Sequence, residues 1–383
     1  MDFIPSQYKI GILGGGQLGK MLAQEASKLD MSIHFLDKDR SFPAAKVCPD
    51  FTEGDFNNYE DVLRFGRNMQ VVSIEIEHVN TKALHQLESE GILVFPQAKL
   101  LDLIKDKGLQ KLFYKEHGFA TAPFMLFEDK SAVLNALQEK TIQFPFVIKS
   151  RTGGYDGRGV AIINSEADLG LLFDTPCLVE QLAKINKELS VIAIRAQDGN
   201  CVVYPTVSMD FHPTANLVEY LICPATIPSN VAEEAQAIAK QLINKLGIIG
   251  ILAIEMFYLE DGGIWINEIA PRPHNSGHHT LDNGATSQFE NHLRALCGLQ
   301  LGDPNYKELA IMINILGEPP YIGNAIYQNL NQILALPGVH VHLYGKTETR
   351  PYRKMGHVTV TGNDLNSCLE KANFVKQYFK VIA

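Results

Sequence analysis

The feature that most restricts the fold is the run GGGQLG at residues 14–19, a glycine turn between an apolar strand-like segment and a helical pattern. Glycine permits the tight turn that this position requires. Further strand patterns at 32–36, 71–76 and 92–95 alternate with helical patterns, which is typical of a parallel sheet. We therefore predict a Rossmann-like α/β domain over residues 1–105.

The same turn is a candidate anion site. It meets the pattern G-x-G-x-x-G, and Asp37 ends the next strand, where an acid would bind a ribose. Free backbone N–H groups at the positive end of a helix suit any phosphate, so the motif supports an anion site more firmly than it supports NAD. The alternative is a turn that only packs the helix against the sheet.

Length and composition limit the class of protein. The chain has 383 residues, of which 46% are apolar and 20% charged, so we expect two or three folded domains rather than disorder. The net charge of -9 disfavours general nucleic-acid binding. Six cysteines without a Cys-x-x-Cys pair, no export signal and no apolar run of membrane length predict a cytoplasmic protein without a membrane span.

The character of the sequence changes after the first domain, from alternating α/β to α+β. Residues 106–310 combine short strands with glycine-rich loops, and we expect a central domain there, with a lid subdomain over about 120–185. Residues 311–383 mix strand patterns with one last helix. This segment is predicted to form a small β-rich carboxy-terminal domain.

A second glycine-rich loop, KSRTGGYDGRG at residues 149–159, lies between two strand patterns. Four glycines with interleaved cations favour contact with phosphates. The loop is not a Walker A motif, which requires G-x-x-x-x-G-K-[ST] before a helix, and the Gly-Lys-Thr at 345–347 does not meet that pattern either. The alternative is a solvated hairpin tip.

The most informative pattern for function is the hairpin over residues 252–269. A two-residue turn at Asp261-Gly262 would place Glu260 opposite Gly263, Tyr258 opposite Trp265 and Glu255 opposite Glu268.

That pairing would bring two carboxylates to one side of the sheet. Like charges about 5 Å apart repel by about 3 kcal/mol at an effective dielectric of about 20, so a compensating group is expected. A hard divalent cation such as Mg²⁺ is the best candidate, because the flanking residues are apolar. The alternatives are a slipped register or one carboxyl held protonated.

Two further polar segments are candidate binding loops. The loop 269–279, IAPRPHNSGHH, begins beside the proposed metal. Its three histidines lack the partners of a zinc motif, so hydrogen bonding to an anionic substrate is favoured. The basic cluster 350–357, RPYRKMGH, is interpreted either as a phosphate site or as a solvated loop.

Taken together, these motifs resemble the ATP-grasp superfamily, and within it the 5-(carboxyamino)imidazole ribonucleotide synthase family. The resemblance is carried by GGGQLGKM at 14–21, EIEHV at 75–79, KSRTGGYDGRG at 149–159, EQLA at 180–183, NEIAPRPHNSGH at 267–278 and RKMGHV at 353–358. It implies an ATP-grasp fold, ATP and Mg²⁺ as cofactors, and a ligase of purine biosynthesis. ATP would convert bicarbonate to carboxyphosphate, and the amine of aminoimidazole ribonucleotide would capture it, or CO₂ released from it.

The resemblance also implies roles for individual residues. For ATP it implies contacts from Lys107, where the family usually has Arg, Lys149, Gly154, Tyr155, Asp156, Gly157, Arg158, Gly159, Val160, the adenine-facing Glu180, Gln181, Leu182 and Ala183, the ribose-facing Glu188, and His212. For magnesium and the triphosphate it implies Glu255, Asn267 and Glu268. For the ribonucleotide it implies Gly16, Gln17, Leu18, Glu75, Arg353 and Lys354, and around carboxyphosphate Arg272, His274, Asn275 and Lys354.

Other functions stay open at this point. A formate-dependent glycinamide ribonucleotide transformylase shares the architecture but typically carries Glu-Leu-Gly where this chain has Gln17-Leu18-Gly19. An NAD-dependent dehydrogenase would fit the first loop but leaves the glutamate pair unexplained, and the metal carboxylates make a noncatalytic nucleotide sensor less favoured. The resemblance further implies a homodimer acting on small molecules.

Overall fold

The computed structural model describes residues 4–154, 159–211 and 218–383. Its amino-terminal part is a parallel sheet with helices, in the strand order β3-β2-β1-β4-β5, as the alternating sequence patterns predict. The elements are β1 (Ile10–Leu13), α1 (Gln17–Lys28), β2 (Ile33–Asp37), β3 (Phe51–Glu53), α2 (Tyr59–Gly66), β4 (Val71–Ile74), α3 (Thr81–Ser89), β5 (Leu93–Val94) and α4 (Ala98–Lys105).

The two central strands, β1 and β4, are buried along their whole length because helices cover both faces of the sheet. Alternate residues of β1 enter different cores: Ile10 and Ile12 pack with α1, whereas Leu13 packs with α2 and α3. The carboxyl ends of the strands therefore meet at one edge. Asp37 ends β2 and Glu75 directly follows β4, so both acids lie beside the glycine turn.

The next part of the chain forms an antiparallel sheet in the order β6-β9-β7-β8, called the lid sheet below. This part of the chain contains the elements α5 (Lys107–Glu116), β6 (Phe124–Phe127), α6 (Lys130–Gln138), β7 (Phe146–Ser150), β8 (Val160–Ile163) and β9 (Cys177–Gln181). One face packs on α6 through Val133, Phe146 and Ile148. The second glycine loop joins β7 to β8, as predicted.

A larger sheet follows in the order β15-β14-β10-β12-β13-β16-β21-β19, with β11 beside β10, and it runs without interruption from the central hairpin into the carboxy-terminal segment. Its pairs are antiparallel. The elements in chain order are β10 (Ile185–Arg195), β11 (Cys201–Val203), β12 (Val207–Phe211), β13 (Val218–Cys223), α7 (Ser229–Leu246), β14 (Gly250–Leu259), β15 (Ile264–Ala270), α8 (Gln288–Leu296), β16 (Leu309–Leu316), β17 (Gly323–Asn324), β18 (Ile326–Gln328), α9 (Leu330–Leu334), β19 (Val339–Leu343), β20 (Glu348–Thr349), β21 (Lys354–Gly362), α10 (Leu365–Tyr378) and β22 (Lys380–Ile382).

The sequence pattern 201–207, which predicts one strand, is divided between β11 and β12 in the structure. Pro205 lies in the break, and proline has no N–H to donate to a strand ladder. Strand β3 was not recognised in the sequence because it has three residues, of which only Phe51 is buried.

Candidate active site

The hairpin of β14 and β15 forms one wall of the candidate site, and it pairs Glu255 directly with Glu268, as predicted. The predicted turn is wrong. Leu259 and Gly263 close a three-residue loop, so Tyr258 faces Ile264 and Phe257 faces Trp265.

The hairpin differs from the prediction in two places, and the two shifts in strand pairing cancel before the glutamate pair is reached. The longer loop shifts the pairing by one residue, and a bulge between the pairs Met256–Ile266 and Glu255–Glu268 shifts it back. Asn267 is the extra residue in the bulge. The bulge re-aims the side chains beside it, so Ile266 and Ile269 pack in the core, Asn267 contacts Lys149 of the lid sheet, and Glu268 contacts Lys107 of α5.

Two lysines contact the part of the hairpin that carries Glu255, Asn267 and Glu268, called the acidic wall below. Lys107, the first residue of α5, forms an ion pair with Glu268. Lys149, near the end of β7 in the lid sheet, lies 2.8 Å from Asn267 Oδ1 and 2.7 Å from Glu180 Oε2. The two cations therefore link the lid sheet and α5 to the carboxylate pair.

The two paired glutamates differ in their protonation. Burial, with the nearby charges of Glu268 and Glu188, raises the pKa of Glu255. Burial also opposes ionisation of Glu268, but the charge and hydrogen bond of Lys107 outweigh it and lower the pKa of Glu268. Glu268 is therefore the member of the pair that carries the charge.

Lys111 is a site residue that the sequence analysis missed. It is buried, and its Nζ lies 2.6 Å from Glu180 Oε1 and 3.3 Å from the carbonyl oxygen of Ile266. Glu180 is held between Lys111 and Lys149, so its carboxylate supports the two lysines. The available signal was the spacing of four residues from Lys107, which places both lysines on one face of α5.

The predicted adenine and ribose contacts lie at the end of β9 and on β10. The segment Gln181, Leu182 and Ala183 continues from β9, and the N–H of Gln181 donates to the carbonyl of Pro123. Burial raises the pKa of Glu188, on β10, to about 7.

The second glycine loop is held at its base. Arg151 forms a two-pronged ion pair with Asp106, the residue that caps α5, so this cation fixes the loop rather than facing its glycines. Gly154 and Gly159 belong to the loop, and Val160 is the first residue of β8. Tyr155, Asp156, Gly157, Arg158 and His212 lie outside the described residues.

The polar loop after β15 connects several parts of the site. Arg272 pairs with Glu77 at 2.7 Å, and His274 Nε2 lies 3.5 Å from Glu255 Oε1. Asn275 exchanges two amide hydrogen bonds with Asn314 on β16, at 2.8 and 3.0 Å. The three side chains thus extend from the carboxylate pair toward the first domain and toward the carboxy-terminal strands.

The first glycine turn is satisfied by carboxylates of the chain itself. The N–H of Gly15 donates to Asp37 at 2.8 Å, and the N–H groups of Gly16 and Gly19 donate to the two oxygens of Glu75. Leu18 is buried in the core of the first domain. Three of the N–H groups that the sequence assigns to an anion are therefore occupied, because Asp37 and Glu75 lie at the carboxyl ends of β2 and β4, the strands on either side of β1.

A group of lysines, called the lysine cluster below, joins the first domain to the carboxy-terminal strands near Gln17. Lys20 donates to the carbonyl of Leu343 at 2.7 Å, Lys46 donates to the carbonyl of Gly345, and Lys346 donates to the carbonyl of Lys354 at 2.7 Å. Burial and the charge of Lys46 lower the pKa of Lys20. Lys20, Lys46 and Lys346 could not be grouped from the sequence, since they are far apart in the chain.

Arg353 and Lys354 are not brought to the same place. The guanidinium of Arg353 donates to the carbonyl of Glu348 at 2.7 Å, whereas the charge of Lys354 acts on Glu255 and His278. Arg353 lies in the turn region before β21, whereas Lys354 is the first residue of that strand, which accounts for the difference.

Comparison with known proteins divides this chain into three matched segments. Residues 7–105 match the ribonucleotide synthetase preATP-grasp domain, residues 112–289 the ATP-grasp domain and residues 310–371 the phosphoribosylaminoimidazole carboxylase C-terminal domain. The N5-carboxyaminoimidazole ribonucleotide synthetase of Thermotoga maritima superposes with a TM-score of 0.90 at 38% identity, over 98% of this chain and 99% of that chain. The chain belongs to the N5-carboxyaminoimidazole ribonucleotide synthase family.

Two further relatives agree with this family assignment. The N5-carboxyaminoimidazole ribonucleotide synthase of Bacillus subtilis is 34% identical over 91% of this chain and 90% of its own length. The Aspergillus clavatus N5-carboxyaminoimidazole synthase, solved with ADP and 5-aminoimidazole ribonucleotide, has a TM-score of 0.87 at 32% identity, over 97% of this chain and 98% of that chain. The chain also spans about two thirds of the length, 65% to 69%, of phosphoribosylaminoimidazole carboxylases from yeasts and a plant.

Membership of the N5-carboxyaminoimidazole ribonucleotide synthase family confirms the predicted ATP-grasp fold and identifies an ATP-dependent ligase. The family assignment also disfavours the two other enzymes considered from the sequence, the transformylase and the dehydrogenase. Among the described helices, none combines the length and the apolar character that a membrane crossing requires.

Proposed function

We propose that this chain carboxylates the amine of 5-aminoimidazole ribonucleotide, using ATP and bicarbonate, in de novo purine biosynthesis. An oxygen of bicarbonate attacks the γ-phosphorus of ATP and ADP leaves, which gives carboxyphosphate. The amine then attacks the carboxyl carbon of carboxyphosphate, or CO₂ released from it, and phosphate is released. The observation that carries the proposal is the glutamate pair of β14 and β15, in contact with Lys107 and facing the lid sheet.

The ATP site lies between the lid sheet and the hairpin of β14 and β15. Lys149 and Lys107 bind the triphosphate, and their contacts with Asn267 and Glu268 at the proposed magnesium site support this role. Gly154, Gly159 and Val160 contact the phosphates, the segment from Glu180 to Ala183 contacts adenine through its backbone, and Glu188 contacts the ribose. Phosphoryl transfer depends mainly on alignment and charge neutralisation, and this set of residues supplies both.

The donor set at the hairpin fits a magnesium ion. Glu255 and Glu268 offer carboxylate oxygens from directly paired positions, and Asn267 offers an amide oxygen beside them. Hard oxygen ligands of this kind are preferred by Mg²⁺. When bound, the ion neutralises charge on the triphosphate oxygens.

Carboxyphosphate and the ribonucleotide would lie beside the polar loop after β15. Arg272, His274, Asn275 and Lys354 surround the carboxyl group, and His274 is oriented by the hydroxyl of Ser276 at 2.8 Å. The lysine cluster, with Gln17, is placed to bind the phosphate of the ribonucleotide. Carboxyphosphate is labile in water, so closure of the lid sheet over this loop protects it.

Product identification tests the reaction. The chain is incubated with ATP, Mg²⁺, ¹³C-bicarbonate and aminoimidazole ribonucleotide, and we expect ADP together with a ¹³C-carbamate on the exocyclic amine. Formate in place of bicarbonate should give no formylated product. ATP hydrolysis without a labelled carbamate would contradict the proposed reaction.

The Glu268→Gln variant tests the acidic wall. We expect turnover to fall by at least about 100-fold, because the charged member of the glutamate pair is lost while the amide preserves its size. Glu260→Gln, on the exposed loop of the same hairpin, is the matched control and should keep the wild-type rate. Circular dichroism checks that both variants fold, and a wild-type rate for Glu268→Gln would exclude this role.

We also propose that the protein is a cytoplasmic homodimer, an expectation supported by its resemblance to the family. Sedimentation equilibrium of the purified chain measures the dimer directly, and a monomer at micromolar concentration would contradict it.

A further inference from the structure

A group of histidines on the carboxy-terminal strands lies beside the turn Asn275–Leu281. His342 on β19 and His357 on β21 are directly paired, and their rings stack with centroids 4.5 Å apart. Asp282 follows the turn, and both of its carboxylate oxygens lie 3.0 Å from His342 Nε2. One atom from each of these three side chains, each able to ligate a metal, lies within 4.8 Å of the other two.

The second imidazole has an unsatisfied nitrogen. His357 is fully buried, and its Nδ1 lies 3.1 Å from the hydroxyl of Tyr344. Its Nε2 has no hydrogen-bond partner within the part of the chain that the structure describes. An unpaired buried polar atom costs about 1–3 kcal/mol, so a ligand that uses the nitrogen would offset this cost.

The cluster has a further histidine on its solvent side. His340 and His342 are two residues apart on β19, so their side chains lie on one face of the strand. His340 Nδ1 is 3.9 Å from Asp282 Oδ1, and its side chain is 43% exposed. His340 therefore provides an additional nitrogen on the exposed side of Asp282.

We propose that Asp282, His342 and His357 form a binding site for a divalent transition-metal ion of the Zn²⁺ class. Two imidazoles and one carboxylate are typical zinc ligands, and His340 or water completes a tetrahedral set. Ligation through His342 Nε2 requires the neutral ring to carry its proton on Nδ1, so the proton that Nε2 shares with Asp282 is exchanged through solvent to Nδ1 and the ion takes its place.

The cluster must rearrange to take an ion: the rings of His342 and His357 are stacked 9° from parallel, and an imidazole binds a metal in its own plane, so one ring must turn. Metal–ligand bonds of about 2.0–2.1 Å in a tetrahedral site place ligand atoms about 3.3 Å apart. The separation of 3.0 Å between His342 and Asp282 is already close to this value. The largest separation within the cluster, up to 4.8 Å, must shorten by about 1.5 Å, which rotation of a ring can supply. A bound ion would tie the polar loop after β15 to the carboxy-terminal strands.

Titration of the whole chain with Co²⁺ and Zn²⁺ tests the site. The protein is first treated with a chelator, and Mg²⁺ is kept in large excess so that the oxygen ligands of the hairpin do not bind the probe ion. We expect one Co²⁺ per chain, with the strong visible absorption of a four-coordinate site, and displacement of that ion by Zn²⁺. His342→Gln and Asp282→Asn should each weaken binding by more than about 100-fold, beyond the 10–100-fold cost of losing an outer-shell partner.

A matched histidine provides the control. His85 pairs with Asp102 at 2.7 Å on the surface, so His85→Gln removes a histidine–aspartate pair from another part of the molecule. This variant should bind Co²⁺ as the wild type does. His342 is 27% exposed, so its variant is expected to fold, which circular dichroism verifies. Absence of four-coordinate Co²⁺ in the wild type, or equal affinity in wild type and His342→Gln, would overturn the proposal.

Discussion

At the scale of single residues, the buried Lys111 and its ion pair with Glu180 stabilise the charged groups of the candidate site. Burial lowers the pKa of Lys111 to about 8, although Glu180 partly restores it. The pKa of Glu180 is lowered because Lys149 and Lys111 outweigh its burial. A charged group in this environment is stabilised only while its partner is present. Lys111 thus supports Glu180, which in turn positions Lys149 beside Asn267.

Lys111→Met should destabilise the protein, since Glu180 would keep only one of its two cations. We expect the free energy of unfolding to fall by about 3 kcal/mol, at the lower end for a broken buried pair because Lys149 remains. Urea denaturation measures the change. Lys115→Met, on the exposed face of the same helix, should stay within about 0.5 kcal/mol of the wild type. Partial recovery in Lys111→Met/Glu180→Gln is expected, and no loss in the single variant would refute the coupling.

Glu188 should make stability depend on pH. Its pKa is raised from 4.5 to about 7 by burial, so the folded state holds a proton that the unfolded state releases in this range. The free energy of unfolding therefore falls as pH rises from 4.5 to 7, by at most about 3 kcal/mol. Glu188→Gln removes this contribution. Unfolding of both proteins at pH 5.5 and pH 8 should show the variant gaining relative stability at the higher pH, and a constant difference would contradict it.

At the scale of elements, the hairpin shows what a sequence pattern can and cannot predict. The pairing of Glu255 with Glu268 was predicted from a two-residue turn that the structure does not have. The predicted pair is nevertheless correct, because the bulge at Asn267 compensates for the longer loop. The alternation of apolar residues identified both strands, but it cannot locate a bulge whose extra residue is polar. The cations that reach the hairpin, such as Lys111, belong to another element, so their approach depends on packing rather than on local sequence.

Asn267 permits a test that separates the bulge from its side chain. Deleting Asn267 leaves Glu268 opposite Glu255 and keeps Ile269 in the core, since the strand then continues the register of the loop. Asn267→Ala keeps the bulge and removes only the amide that contacts Lys149. If the amide is the functional element, both variants should lose ATP-dependent turnover to a similar extent, by at least about tenfold. Steady-state kinetics measure both variants. Loss of activity in the deletion variant but not in Asn267→Ala would show instead that the bulge itself is required.

At the scale of the whole molecule, one sheet carries the acidic wall at one end and the carboxy-terminal strands at the other. Strand β16 pairs with β13 on one side and β21 on the other, and Ile313 on β16 is buried between them. The polar loop after β15 is fixed to this strand through Asn275 and Asn314. The sequence predicts a carboxy-terminal domain over residues 311–383. Its junction with the central sheet through β13 and β16 could not be predicted, since the hydrogen bonds that join strands along a sheet edge leave no local signal.

Ile313→Ala tests whether the shared sheet unfolds as one unit. Truncating a buried isoleucine costs about 2–5 kcal/mol, so the variant should unfold at lower urea concentration. Trp265, the one tryptophan of the chain, lies on β15 at the opposite end of the sheet and reports unfolding by fluorescence. Because the strands between them are continuous, the fluorescence and circular-dichroism midpoints should move together. Ile322→Ala, at a side chain that is 77% exposed, should move neither. An unshifted fluorescence transition in Ile313→Ala would mean that the two ends of the sheet unfold independently.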